Sequence, residues 1–332
     1  MMNTKLALTF CAIAALTACG GGGGSAPVIT APTATLNSAN QTIAAQDTSS
    51  SAYLPLMGAQ TLTGAQTVDE SVLFAIARKQ LDQLPSYLAS AKADATLTGV
   101  VQSQTTTCRY GGTITASASD PDNNGVLSAG DSVSITANNC VEAEGTLTGS
   151  LSFGVNRFTG TMGSNSFNGD FTMTFNGFNV SASQFSASAN GSLTLALSAS
   201  GANTLSASIS TSSLAVSGTY AGVTRSRTLA NYSATSSRTP DASYGYLTRY
   251  TLSGTLTSSA LSSQAVSFTT TTPFVSRPSD AYPSSGAMVI SGAANTKVRV
   301  TAQSASQVKL ELDANGDDVY EQSTTLSWNT LM

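Results

Sequence analysis

The chain has 332 residues, of which only 10% are charged (18 acidic and 14 basic, net charge −4), and it contains no histidine. The lack of histidine excludes Ser-His-Asp and Cys-His catalytic pairs, histidine-ligated metals and an imidazole pH switch, and the scattered cations of an acidic chain argue against binding to nucleic acid. The length suits one large all-β domain or two smaller ones.

Residues 1–18 have the features of a secretory signal peptide. Lys5 is followed by an apolar run that ends at Leu16, which is shorter than the roughly 20 residues of a membrane-spanning helix. The run leads into Leu-Thr-Ala-Cys19, which resembles the lipobox of bacterial lipoproteins. This resemblance implies cleavage before Cys19, a diacylglycerol on its thiol and an acyl chain such as palmitate on its amine, with Cys11 discarded. The alternative is an ordinary secretory signal that happens to contain a cysteine.

The lipid anchor also predicts a location. Acyl chains contribute about 0.8 kcal/mol per buried CH₂, so several of them on Cys19 hold a protein stably on a membrane. Gly20 rather than Asp follows Cys19, and by resemblance to the sorting rule of enteric bacteria this implies the outer membrane. Either face of that membrane fits. No later stretch approaches 18 uninterrupted apolar residues, so we expect no second span.

Residues 19–50 are predicted to be a flexible tether, because five glycines are followed by a segment rich in Ser, Ala, Pro, Thr and Asn. Residues 51–95 are predicted to be helical. Thr67 and Glu70 have the spacing of a capping box, and Pro85 should stop or kink the helix. Apolar residues recur at helical intervals at Leu73, Ile76, Ala77, Leu81, Leu84 and Leu88. This stripe is expected to cover a sheet or plug its end, or alternatively to bind a partner.

Residues 96–332 show the period of two that is typical of strands. Phe171, Met173 and Phe175 alternate with polar residues, and similar runs recur to the C-terminus. Strict alternation indicates strands with one buried face, and therefore antiparallel sheets. The prediction is a mainly β fold with one N-terminal helix and an antiparallel meander of about a dozen strands. A sandwich, an open barrel and a curved sheet all satisfy this pattern.

Cys108 and Cys140 lie in the exported part of the chain, where thiols become oxidised. We therefore predict that they form a disulfide. Residues 110–119 and 132–139 both read as strands, so the bond would close the open end of a hairpin.

The tip of this hairpin resembles the twelve-residue calcium loop of EF-hand proteins. Gly125 falls at the sharply turned sixth position, and Leu127 at the apolar eighth. The resemblance implies Ca²⁺ binding by oxygens of six residues: Asp120, Asp122, Asn124, Val126 through its carbonyl, Ser128 and Asp131. Two features depart from the family, because Asp131 stands where it has Glu and the flanks are strands. The alternative is a hairpin turn built from good turn formers.

A second acidic turn, residues 313–321, begins in similar style. Asp318 occupies the position where the calcium loop has glycine, so the sequence favours a plain hairpin turn here.

Taken together, these features favour an outer-membrane-anchored lipoprotein with a structural or binding β domain that calcium stabilises. The chain as a whole resembles lipoproteins of Gram-negative bacteria, and this resemblance implies no activity. An enzyme is not expected, because no carboxylate pair, serine elbow or phosphate-binding glycine loop is distinguishable. The alternatives are a lipid- or hydrophobe-carrying β shell and, less favoured, a transmembrane β-barrel. Beyond the membrane, the partner could be a protein, a glycan or a lipid.

Overall fold

The structure is a computed structural model that describes residues 31–59, 70–94, 101–143 and 145–332. Its main element is one 14-stranded sheet in which each strand pairs with the next one along the chain. The pairs are antiparallel. The predicted mainly β antiparallel meander is therefore confirmed. Its described strands form a single open sheet with β1 at one edge and β14 at the other.

The strands are β1 (Val101–Thr107), β2 (Thr113–Ser119), β3 (Ser132–Glu142), β4 (Gly145–Gly160), β5 (Phe167–Ala182), β6 (Phe185–Gly201), β7 (Thr204–Tyr220), β8 (Val223–Asp241), β9 (Gly245–Ser258), β10 (Gln264–Ser276), β11 (Ser285–Ser291), β12 (Lys297–Ala302), β13 (Gln307–Asp313) and β14 (Gln322–Ser327). The helices are α1 (Gln41–Ala59), α2 (Ser71–Asp82), α3 (Leu84–Asp94) and α4 (Trp328–Leu331). None of these described helices has the length and apolar character needed to cross a membrane.

One face of the sheet is apolar because side chains alternate along each strand. In β5, Phe171, Met173 and Phe175 are buried, while the threonines between them are only partly covered. The other face carries rows of hydroxyl groups that hydrogen-bond across neighbouring strands. Five such pairs have oxygen–oxygen distances of 2.6–2.9 Å: Ser103–Ser117, Thr105–Thr115, Ser198–Ser206, Thr219–Thr224 and Thr235–Thr251.

The helices lie on the apolar face, and the sheet curves around them. Helix α3 contacts β1 and β2, and α2 contacts β5 and β6. Helix α1 contacts β7, β8, β9, β11, β12 and β13. Met332, which follows β14 and α4, lines one cavity together with Phe185 of β6. In a flat sheet these strands would be about 38 Å apart, since neighbours are spaced about 4.8 Å. We call this curved sheet the shell.

β-Bulges in several strands are a local cause of the curvature of the sheet. The pairing register shifts within β3–β4, β4–β5, β5–β6, β6–β7 and β8–β9, and bulges bend and twist the strands that contain them. At Gly149 the backbone has φ +83°, and a Cβ there would lie 2.1 Å from the carbonyl oxygen of Gly177. Only glycine allows this close approach of β4 to β5.

The predicted tether is wrong for its described part, residues 31–50. The backbone of Ala34 bonds to Ala265 of β10 at 2.9 Å and to Ala293 at 2.7 Å. Helix α1 then begins at Gln41 and is enclosed by the shell. The Ala, Ser and Thr side chains of α1 form no apolar stripe, so the composition of this segment resembles that of a linker. Enclosure buries small side chains on all sides, which stabilises a helix that periodicity does not reveal. The signal peptide, Cys19 and the glycine run lie outside the described residues.

The predicted amphipathic helix is confirmed as α2, with Leu73, Ala77 and Leu81 buried. After the break at Pro85 the chain continues as α3, so three helices precede the sheet rather than one. Glu70 does not act in a capping box. It stands at the N-cap of α2 without a side-chain capping bond, and its carboxylate bonds to Arg227 instead. Thr67 lies outside the described residues.

Candidate metal centre

The acidic loop, residues 120–131, connects β2 to β3 as the sequence predicts. Leu127 is buried and joins the main apolar core, which fixes the middle of the loop. At the other end of the hairpin Cys108 and Cys140 form the predicted disulfide, with Cα atoms 5.4 Å apart. Paired strands therefore hold both ends of the loop, and the disulfide closes the far end of the same hairpin.

Three of the predicted ligands bring their carboxylates together. Oxygens of Asp120, Asp122 and Asp131 lie within 4.8 Å of one another. Two oxygens that each lie about 2.4 Å from one Ca²⁺ can be at most about 4.8 Å apart, so this spacing fits one ion. Like charges this close disfavour joint ionisation unless a cation neutralises them.

Backbone groups hold the first of these carboxylates in place. Asp120 accepts hydrogen bonds from the N–H groups of Asn124 at 3.3 Å and Gly125 at 2.7 Å. Gly125 has φ +71°, a conformation that glycine adopts without steric cost. The chain thus folds back over Asp120, as the glycine at the sixth position predicts.

Asp131 contains an unmet hydrogen-bond acceptor. Its Oδ2 accepts from the N–H and the hydroxyl of Ser128, at 2.6 and 3.2 Å. Its Oδ1 is buried and has no hydrogen-bond partner, which is uncommon for a buried polar atom. Burial raises the pKa of Asp131, and repulsion by Asp120 and Asp122 adds to this. In Asp122, by contrast, a hydrogen bond with the Asp120 side chain is the main cause of a lowered pKa.

The other three predicted ligands are Asn124, Val126 and Ser128. Ser128 lies between two carboxylates, because its hydroxyl also donates to Asp122 at 3.1 Å. The Oδ1 of Asn124 accepts from the N–H of Val126 at 2.6 Å, so this oxygen is already used within the loop. The Val126 side chain is exposed. The structure therefore assembles three carboxylates and one hydroxyl from the six residues.

The second acidic turn contains a similar cluster. Carboxylate oxygens of Asp313, Asp317 and Glu321 also lie within 4.8 Å of one another. Asp318 stands where the calcium loop has glycine, and its φ of +70° lies in the left-handed region. Asp and Asn adopt this conformation more readily than other non-glycine residues. Asp313 is buried, but its two oxygens accept from the N–H groups of Gly316 and Asp318 at 2.7 and 3.0 Å. Unlike Asp131, it has both oxygens satisfied.

A buried ionic cluster joins α1 and the start of α2 to β8, and the sequence gives no signal for it. Arg227 donates to Asp47 at 3.2 Å and to Glu70 at 2.9 Å, and all three side chains are buried. Arg225 lies 3.5 Å from Asp47. The partners are 157 and 180 positions apart in the chain, so no local pattern could have revealed them.

Comparisons with protein-family models, with curated proteins and with solved structures found no match to this chain.

Proposed function

We propose that the chain is an outer-membrane lipoprotein, anchored through Cys19, whose β domain is stabilised by a calcium ion in the acidic loop. The buried and unpartnered Oδ1 of Asp131, beside the carboxylates of Asp120 and Asp122, is the observation that supports the ion. Hard cations prefer such oxygen donors. The ion would satisfy the unmet acceptor and offset the repulsion among three carboxylates, and its role would be structural because strands rather than movable helices flank the loop.

Thermal unfolding of the full chain in millimolar Ca²⁺ and in chelator tests the ion site. An ion present at a hundred times its dissociation constant adds about 2.7 kcal/mol to the free energy of unfolding, which should raise Tm by several degrees. Asp131→Asn should abolish the difference between the two conditions. Asp317→Asn, in the second acidic turn, is the matched control and should retain it. Identical curves for the native chain would contradict the proposal.

A direct measurement of Ca²⁺ binding tests the site even if Asp131→Asn does not fold. Equilibrium dialysis of the native chain against Ca²⁺ should give one tight site, and Asp120→Asn should weaken it at least tenfold. Mg²⁺ should compete poorly, since it demands near-ideal octahedral geometry and gives up its water reluctantly.

The anchor is supported by the sequence around Cys19 and needs its own test. In a Gram-negative host, the native chain should fractionate with the outer membrane and carry acyl groups on Cys19 by mass spectrometry. In Cys19→Ser the acyl groups should be absent by mass spectrometry. Acyl groups that persist in this variant would show that the anchor is not at Cys19.

The structure supports the alternative of a hydrophobe-carrying shell only for a small ligand. Helices α1 and α2 occupy the apolar face of the shell, which leaves little room for a long lipid. Cavities of about 460 and 300 Å³ do open between the described residues, and this volume suits a small ligand.

A further inference from the structure

The smaller of these cavities, about 300 Å³, opens at the end of the shell where the β4–β5 and β6–β7 turns lie. We call it the end cavity. Its apolar wall includes Phe167 of β5, Leu197 of β6 and Leu205 of β7. Polar residues of the same strands and turns also line it, among them Ser164, Asn165, Ser198 and Ser206. Such a mixture of apolar wall and a few polar groups is typical of small-molecule sites.

Two guanidinium groups face this cavity, from Arg78 of α2 and Arg238 of β8, and the described residues that line it include no carboxylate. Arg78 is neutralised by Asp82, 3.0 Å away. Arg238 has no ion pair with any described acidic residue. Its guanidinium lies 4.3 Å from the centre of the Tyr246 ring, and its Nε is buried without a hydrogen-bond partner. The end cavity therefore holds one positive charge that nothing in the described part of the chain balances.

The larger cavity provides a contrast. Arg225, Arg227 and Glu70 all line the larger cavity. Asp47 forms ion pairs with both of these arginines. Its cations and anions are thus equal in number. The end cavity differs from the larger cavity by this excess of positive charge. The excess indicates that its ligand is negatively charged.

We propose that the end cavity binds a small organic anion with an apolar chain, and that Arg238 binds the anionic head group. A guanidinium offers donors in a planar fork that matches a carboxylate or phosphate group. The guanidinium of Arg238 supplies these donors, and its position 4.3 Å from the centre of the Tyr246 ring fixes the plane of the fork. Phe167, Leu197 and Leu205 would cover the chain of the ligand. This proposal depends neither on the calcium site nor on the lipid anchor.

Calorimetric titration of the full chain with three probes tests this proposal. Decanoate should bind at one site. Decyltrimethylammonium, which has a similar chain and the opposite charge, should bind at least tenfold more weakly. Inorganic phosphate should also bind at least tenfold more weakly, since it lacks the chain. Equal affinity for the two decyl compounds would show a merely apolar site, and equal affinity for phosphate would show a bare anion site. Either result would overturn the proposal, as would absence of decanoate binding.

Arg238→Gln should weaken decanoate binding about tenfold or more, since a hydrogen bond to a charged group is lost. Arg249→Gln is the matched control, because Arg249 is an exposed cation on the neighbouring strand and bonds to Thr239 outside the cavity lining. It should leave the affinity unchanged. Should Arg238→Gln fail to fold, Arg238→Lys keeps the charge without the fork and should give an intermediate affinity. Unchanged affinity in both Arg238 variants would refute the assignment.

Discussion

The hydroxyl of Tyr232 in β8 donates a hydrogen bond of 2.6 Å to the backbone carbonyl of Ala52 in α1. Both residues are buried. Helix α1 also contains Pro55, which has no N–H to give to the carbonyl of Ser51, so this part of the helix lacks one of its own hydrogen bonds. The enclosed helix is therefore held by side chains of the shell as well as by its own hydrogen bonds.

Tyr232→Phe should lower the free energy of unfolding by about 1–3 kcal/mol, because it leaves the carbonyl of Ala52 without this donor in a buried place. Urea unfolding measures the change as a shift in midpoint. Tyr220→Phe is the matched control, since Tyr220 is 60% exposed, and it should change little. Equal midpoints for the two variants would show that the bond to α1 contributes nothing.

Asp47→Asn should destabilise the chain more strongly, by about 3–5 kcal/mol, because Arg227 would lose one of its two buried partners. Asp170→Asn removes a comparable pair, Arg157–Asp170 at 3.0 Å, in which the arginine is largely exposed. That control should cost no more than about 1 kcal/mol. Similar losses for both variants would argue that burial adds nothing to the cluster.

Alkaline pH should unfold the protein through its buried tyrosines. Burial raises the pKa of Tyr53 to about 12 and that of Tyr232 and Tyr250 well above the usual value. Unfolded tyrosines release their protons near pH 10, so above that pH the folded state holds more protons and stability falls as pH rises.

The measurement is urea unfolding at a series of pH values, with tyrosinate absorbance followed in parallel. A rise in tyrosinate absorbance above about pH 10 should coincide with loss of structure. A single titration near pH 10 with the fold intact would contradict the buried assignments.

Loss of the disulfide should cost about 3–4 kcal/mol, because the bond joins residues 32 positions apart and closes a loop of that size in the unfolded chain. Replacement of Cys108 and Cys140 by alanine tests this in denaturant. A reductant should destabilise the native chain by a similar amount and leave the double variant unaffected. No effect of reductant on the native chain would mean that the bond does not contribute to stability.

The strands and the acidic loop were predictable because their signals are local. In β5 the side chains of Phe171, Met173 and Phe175 alternate with polar ones, and this period alone assigns a half-buried strand. The spacing of Asp120, Asp122 and Asp131 likewise anticipated three carboxylates that the structure brings together. Buried strands and turn residues of this kind depend mainly on neighbours within a few positions.

Helix α1 and the charged groups that it meets were not predictable in this way. Its Ser, Thr and Ala residues have no apolar stripe, and the pairing of Asp47 with Arg227 spans 180 positions. The lining of the end cavity combines α2 with strands from β5 to β9, so the unbalanced charge of Arg238 becomes visible only after folding.

The sequence by itself thus determined the strand order of a meander, the hairpin with its disulfide and the acidic loop, since each arises from short-range alternation, spacing or turn chemistry. The tertiary structure alone decided that the sheet curves around α1, that Arg227 joins two helical segments, and that one buried oxygen of Asp131 has no partner. The physical reason is that burial and charge compensation depend on which distant segments come into contact, and local patterns contain no information about those contacts.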